Sequence, residues 1–174
     1  FVGVKIGDVN GSAVANQFAQ AEDRSAVDEL VFEIENQKVV VGQTVDVTFR
    51  SDNFNAIHGY QFSLGFDQAV LQFNEVQTGT LANLNEDNFG LALLDNGVIT
   101  TSWTNNKAQT AMRAADLFTI SFIAKADGQL RDLLTVNSSF TKAEAYNGNL
   151  DLMDVQMRFD AAVAVTNELR LYQN

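Results

Sequence analysis

From Leu30 onward the chain is dominated by alternation of apolar and polar residues with a period of two. In residues 30–35, Leu30, Phe32 and Ile34 fall on one face. In 44–50, Val45, Val47 and Phe49 alternate with Thr44, Asp46, Thr48 and Arg50. Successive side chains of a strand point to opposite faces, so each stretch predicts a strand with one buried face. The clearest case is 59–66, where Tyr60, Phe62, Leu64 and Phe66 are predicted inward and Gly59, Gln61, Ser63 and Gly65 outward. Further strands are predicted over 70–76, 89–93, 98–103, 117–124, 133–136, 140–145 and 152–159. Asp95-Asn96-Gly97, Asp127-Gly128 and Asn147-Gly148-Asn149 supply residues that tolerate positive φ, as tight connections require. About nine short strands with no regular helices between them predict an all-β fold, an antiparallel β-sandwich. A short helix or irregular loop is expected over 106–115, with Asn106 as its cap and Ala108, Ala111, Met112 and Ala115 as a stripe.

Residues 1–29 read differently. Gly7-Asp8-Val9-Asn10-Gly11 leads into the alanine-rich stretch 12–21 and then the charged runs Glu22-Asp23-Arg24 and Asp28-Glu29. Few large apolar residues are available to bury, so this is predicted to be a flanking segment, with a weak helix from Ser12. Its first residues alternate, with Val2, Val4 and Ile6 on one face. A lone strand of that kind needs a sheet edge, either of this domain or of a neighbouring copy.

Composition narrows the function classes. In 174 residues, 46% are hydrophobic and 13 are Phe, yet no apolar run approaches the ~18 residues of a membrane-spanning helix. With 11 Lys plus Arg against 22 Asp plus Glu, the formal net charge of -11 repels phosphate backbones and anionic lipid surfaces. Nucleic acid and membrane partners are therefore set aside. The chain has no Cys, which excludes disulfides, zinc–thiolate sites and thiol nucleophiles, and no Pro. The single His58 would have to serve any catalytic triad alone, and no Gly-x-Ser-x-Gly nucleophile motif accompanies it. Nothing singles out a carboxylate pair for glycoside hydrolysis among the acids. No catalytic residue is expected, and the chain reads as a non-enzyme.

Four stretches in order resemble the cohesin family. Residues 59–73, Gly59-Tyr60-Gln61-Phe62-Ser63-Leu64-Gly65-Phe66-Asp67-Gln68-Ala69-Val70-Leu71-Gln72-Phe73, are similar to its aromatic strand running into a Tyr/Phe-Asp-Pro-x-Val-Leu turn, with Gln68 where Pro is usual. Val41-Gly42-Gln43-Thr44-Val45-Asp46-Val47 resembles its opening Gly-Asp-Thr-Val-x-Val strand. Asp95-Asn96-Gly97-Val98-Ile99-Thr100 and Asp116-Leu117-Phe118-Thr119-Ile120-Ser121-Phe122 resemble two later strands. The resemblance covers about 30–159 and implies a jelly-roll sandwich that binds protein. The ends carry a second resemblance. Phe1 to Ala13 is similar to the close of dockerin-like regions in large secreted Bacteroidetes proteins. Leu169-Arg170-Leu171-Tyr172-Gln173-Asn174 is similar to the start of the C-terminal sorting domain of type IX secretion. These resemblances imply three parts: 1–29 a dockerin-like remnant and linker, 30–162 the sandwich, and 163–174 a linker into a sorting domain. They imply an extracellular or cell-surface protein exported across the outer membrane, such as an adhesin, scaffold or filament subunit.

Candidate sites follow from both readings. A dockerin-type calcium loop starting at Asp8 offers Asp8, Asn10 and Ser12, but has Ala13 where Gly is usual and Ala19 in place of the final bidentate carboxylate. Calcium is a possible ligand there, and folding is not expected to need it; an Asx-type turn uses the same residues. Asn147, Asn149, Asp151 and Asp154 form another oxygen-rich stretch that serves equally as a hairpin turn. Trp103, Tyr60 and Tyr146 would be a sugar-stacking platform if exposed, which keeps a carbohydrate-binding module as the alternative function; Trp103 and Tyr60 lie in the inward register, which favours core packing. The cohesin resemblance implies that the outward face of the aromatic strand meets the partner, a dockerin-like segment or a neighbouring copy. That makes Gly59, Gln61, Ser63 and Gly65 the candidate binding residues, with a polar group at Gln61 and small residues beside it.

Overall fold

The structure, a computed structural model, describes residues 28–160. Strands run in the order β1 (Glu29–Glu35), β2 (Lys38–Val39), β3 (Thr44–Phe49), β4 (Ile57–Phe66), β5 (Leu71–Thr78), β6 (Phe89–Gly90), β7 (Val98–Gln109), β8 (Phe118–Ala124) and β9 (Gly128–Gln129). One helical turn, α1 (Leu130–Leu133), precedes β10 (Leu134–Asn137), β11 (Glu144–Asn147) and β12 (Leu152–Asp160). They form a β-sandwich. The larger sheet has the order β1-β12-β11-β4-β7-β6, with β10 also paired to β4, and the smaller has the order β3-β8-β5. The short β2 and β9 pair separately.

Alternation places the core as expected. Val45, Val47, Phe49, Tyr60, Phe62, Leu64, Phe66, Phe118, Ile120 and Phe122 are all buried between the sheets. Phe32 sits among Phe49, Tyr60, Phe62 and Phe118, and Phe49 stacks on Phe118 with centroids 4.4 Å apart. Contacts such as Phe66–Phe122 at 5.2 Å and Phe89–Phe118 at 5.3 Å tie the larger sheet to the smaller. Offset and edge-on ring pairs of this kind add to the apolar area already removed from water.

Four local expectations are corrected. The strand predicted over 89–93 ends at Gly90, and the chain then turns through a 3-10 turn at Leu94–Asn96 that Gly97 closes at φ 69. Of the short helix or irregular loop expected over 106–115, the helix does not form and only 110–115 are irregular. Instead β7 continues past a bulge to Gln109, which pairs with Ile57 of β4. Tertiary pairing overrides the helical propensity of the alanines there. The strand predicted over 140–145 begins only at Glu144 and runs to Asn147, leaving 138–143 as a loop. Finally, not every pairing is antiparallel: β1 runs parallel to β12 from Glu29↔Asp154 to Glu35↔Asp160.

The free side of β1 is largely closed. Glu33 and Arg50 exchange backbone hydrogen bonds, and the side chain of Asn53 accepts from Val31 N and donates to Glu29 O. Such plugging removes the unpaired edge that would invite another strand. The calcium-loop residues Asp8, Asn10 and Ser12, the alternating residues 1–6 and the segment 163–174 lie outside the described residues.

Candidate binding face

The central strand β4 divides the molecule by chemistry. One side carries the aromatic core. The other faces outward, in register with β11 on one flank and β7 on the other. Cross-strand pairing sets out rows of neighbours on this outer face. Gly59 stands between Tyr146 and Thr104, Gln61 between Glu144 and Ser102, and Ser63 opposite Thr100. Beyond β11, Tyr146 pairs with Leu152 and Glu144 with Asp154.

The candidate residues behave unequally on that face. Gln61 is half-buried, and its amide donates to Glu144 Oε1 at 3.1 Å. Gly59 is buried, since a Cβ there would stand 2.8 Å from Trp103 O and 3.0 Å from the Thr104 methyl. It keeps the face flat and offers no contact group of its own. Gly65 lies against β10, with Thr135 and Asn137 side chains over it.

Ser63 is fully buried although it points away from the core. β10 and β11 flank the same side of β4, Asn137 pairing with Ser63 and Glu144 with Gln61. Residues 138–143 therefore loop out between two positions only one pair apart along β4. The Ser63 hydroxyl repairs this break: Oγ accepts from Phe140 N at 3.2 Å and Thr141 N at 2.8 Å, and donates to Thr141 O at 3.2 Å. Asn137 Oδ1 accepts from Ser139 N, and Ser138 Oγ accepts from Ala143 N. Side chains thus replace a strand ladder that the loop cannot complete.

Electrostatics centre on Glu144. Its side chain is 12% exposed and receives Lys142 Nζ at 2.8 Å, Tyr146 Oη at 2.9 Å and the Gln61 amide. Lys142 first, then Tyr146 and Gln61, hold the carboxyl below the usual carboxylate range against the burial that pushes it up. The Tyr146 hydroxyl, donating to that carboxylate, is pushed above its ordinary range.

Other candidates fall elsewhere. His58 Nδ1 lies 3.1 Å from Asn105 O at the strand's start. Trp103 is fully buried, its Nε1 donating to Ala82 O, and Tyr60 is buried next to it. Of the three aromatics considered for sugar stacking, only Tyr146 reaches the surface. Asn147 organises the β11–β12 hairpin: its Oδ1 accepts from Asn149 N and Asp151 N, while Leu150 takes φ 66. No group of three or more His, Asp or Glu among the described residues is placed to hold a metal ion. An open cleft of about 530 Å³ is lined by Glu33, Asp52, Asp116 and Asp160 together with Arg50, which pairs with Asp116, and its Asp52 is held by Arg113. No helix among the described residues is long and apolar enough to cross a membrane.

The β-sandwich agrees with what comparison with known proteins finds. A cohesin domain model matches residues 30–165. The chain belongs to the cohesin family. Solved cohesins share the fold at low identity. The cohesin of a type I cohesin–dockerin complex from Clostridium thermocellum has a TM-score of 0.57 and 13% identity over 77% of this chain and 99% of that one. The sixth cohesin of Acetivibrio cellulolyticus scaffoldin B, solved with a Cel5 dockerin, has a TM-score of 0.58 and 12% identity over 76% and 97%. A non-cellulosomal cohesin from the archaeon Archaeoglobus fulgidus has a TM-score of 0.55 and 15% identity over 76% and 88%. No curated protein matches the chain. Cohesin domains are non-catalytic modules of protein–protein interaction.

The candidate residues read from sequence all lie on β4; the structure places Ser102, Thr104, Glu144, Tyr146, Leu152 and Asp154 on the same outer face. Their signal was present: Glu144 and Tyr146 flank the buried Ala145, and Leu152 and Asp154 flank the buried Met153. Alternation shows which residues share a face, but not which strands lie side by side.

Proposed function

We propose that this cohesin is a non-enzymatic docking module of an extracellular or cell-surface protein, and that it takes a dockerin-like segment on the outer face of β11, β4 and β7. The observation that supports this most is the face itself. It is flat at Gly59, polar at Gln61, Ser102 and Thr104, and open to solvent at Ser102 and Thr104. A flat sheet surface with scattered hydrogen-bonding groups suits recognition of a protein rather than a small molecule, which calls for a concave pocket. In this role Gln61 contacts the partner, Gly59 and Gly65 keep the sheet flat, and Ser63 holds the loop beside it. A scaffold, adhesin or filament subunit in a type IX secreted Bacteroidetes protein is the setting that the terminal segments suggest. Calcium at Asp8, Asn10 and Ser12 would belong to the preceding segment, not to this face. With Trp103 and Tyr60 in the core, carbohydrate binding loses its platform.

Site-specific photo-crosslinking tests the reading. A crosslinking residue at Ser102 should capture a defined protein from the source organism's surface fraction, whereas the same residue at Gln72 on β5 should not. Capture should be competed by unlabelled protein but not by its Ser102→Arg variant. Equal capture at both positions, or competition by Ser102→Arg, would refute it.

A further inference from the structure

More than half of the exposed large apolar side chains come from one short stretch of the chain. Of the seven large apolar residues open to solvent among the described residues, four, Phe140, Tyr146, Leu150 and Leu152, fall within 140–152, while Val41, Leu91 and Met112 stand apart. Tyr146 and Leu152 are direct cross-strand partners on the outer face, because Ala145 and Met153 occupy the inward positions beside them. Single exposed apolar residues need no explanation, but an adjoining pair on a sheet face does.

The next outward row is acidic. Glu144 pairs with Asp154, and Asp154 pairs with Glu29 across the parallel β1–β12 ladder, so three carboxylate side chains occupy neighbouring positions on three strands. Two of them are compensated, Glu144 by Lys142 and Glu29 by Arg158 at 3.7 Å. No described side chain pairs with the Asp154 carboxylate. An uncompensated anion therefore sits beside the Tyr146–Leu152 pair, in a protein whose net charge of -11 already draws cations.

Resting on the outer-face reading, the geometry points to an amphipathic helix of a protein partner that crosses β11 and β12 and presents one Lys or Arg to Asp154, with aliphatic residues three or four positions away seated on Tyr146 and Leu152. A helix fits better than a strand, because β11 lies between β12 and β4, and β12 between β1 and β11. Neither has a free edge for strand addition, so the partner must meet side chains, and helical spacing places a cation and its aliphatic neighbours on one stripe. The centre of recognition thereby moves from β4 toward β11 and β12.

The probe is a yeast-displayed library of helices about 18 residues long, enough to hold helical structure in isolation, randomised on one face and selected on the full chain. Selected helices should carry Lys or Arg bracketed by aliphatic residues. They should bind Asp154→Lys and Leu152→Ser about tenfold or more weakly, as loss of a central contact predicts, and Gln72→Arg unchanged. Replacing the selected cation by Glu should restore binding to Asp154→Lys, which separates recognition from any folding defect. Neutral or acidic winners, no winners, or full affinity for Asp154→Lys would overturn the inference. If Ser102→Arg abolishes binding while Asp154→Lys does not, the outer face still docks the partner and only its cationic centre is wrong. If neither matters, both readings fail.

Discussion

Replacing Ser63 by Ala tests whether that hydroxyl holds the loop at the edge of the candidate binding face. It makes three hydrogen bonds to the backbone of Phe140 and Thr141, each worth roughly 1 kcal/mol net, and the removal would leave two N–H groups without their acceptor. The full loss, about 3 kcal/mol, applies only if the loop stays in place. Phe140 is 59% exposed, so the loop can lift and let water take the freed amides, which limits the cost to about 1–2 kcal/mol. For a chain of this size that lowers the melting temperature by about 3–7 °C. Hydrogen exchange gives the sharper readout. In Ser63→Ala the amides of Phe140 and Thr141 should exchange at nearly the rate of an open chain, while those of Phe62 and Leu64 keep protection close to the global value. Should the two loop amides stay protected and the melting temperature move by less than about 1 °C, the hydroxyl does not hold the loop.

Three further outcomes are expected. Gly79→Ala should destabilise by about 2–3 kcal/mol in urea denaturation, as overpacking does, because its Cβ would stand 2.1 Å from Asp116 O and 2.6 Å from Leu117 O, both backbone atoms; a wild-type midpoint would refute this. Glu144, whose carboxyl is held below its ordinary 4.5, should contribute stability that is present above that value and lost as pH falls through the lower folded value, so the gap between wild type and Glu144→Gln should be wide at neutral pH and close in acid. Replacing Thr101 by Val together with Tyr60 by Phe should raise the melting temperature by about 2–4 °C, because Thr101 Oγ1 and Tyr60 Oη are both buried and face each other without a well-formed hydrogen bond, and replacing both by apolar groups avoids that desolvation; a lower melting temperature would show that the pair has a use in the core.

Most of the sandwich was legible because one physical signal repeats. A strand with one dry face must alternate, and Tyr60, Phe62, Leu64 and Phe66 do so without interruption. The misreadings fall where a segment's partner lies far along the chain. Asn106 to Gln109 has a plausible helical stripe, yet the strand runs past a bulge to pair Gln109 with Ile57 of β4, a partner that the sequence cannot reveal. Phe140 looked like the start of a strand because it is aromatic and β-prone, but the pairings on either side of it are separated by a loop that only the registers of β10 and β11 expose. The parallel pairing of β1 with β12 joins residues more than a hundred positions apart, and neither strand's local pattern distinguishes parallel from antiparallel partners.

The candidate site was half legible for a related reason. Outward residues on β4 were read as contact groups because they are small or polar, and small outward residues permit two different outcomes. Gly59 and Ser63 share a strand and a face, yet one flattens the sheet under Thr104 while the other is covered by a loop whose amides it satisfies. What separates them is the neighbouring strand at each level: β11 continues beside Gly59, whereas the break between β10 and β11 falls beside Ser63. A face of this kind is therefore specified two strands at a time, and the residues that give it chemical character, Glu144 and Tyr146 with Leu152 and Asp154 beyond, come from the flanking hairpin rather than from the strand that carries the family's aromatic pattern. Variation in that hairpin could then change the partner while leaving the Phe32-centred core untouched, since Ala145 and Met153 fill the inward positions whatever stands beside them on the outside.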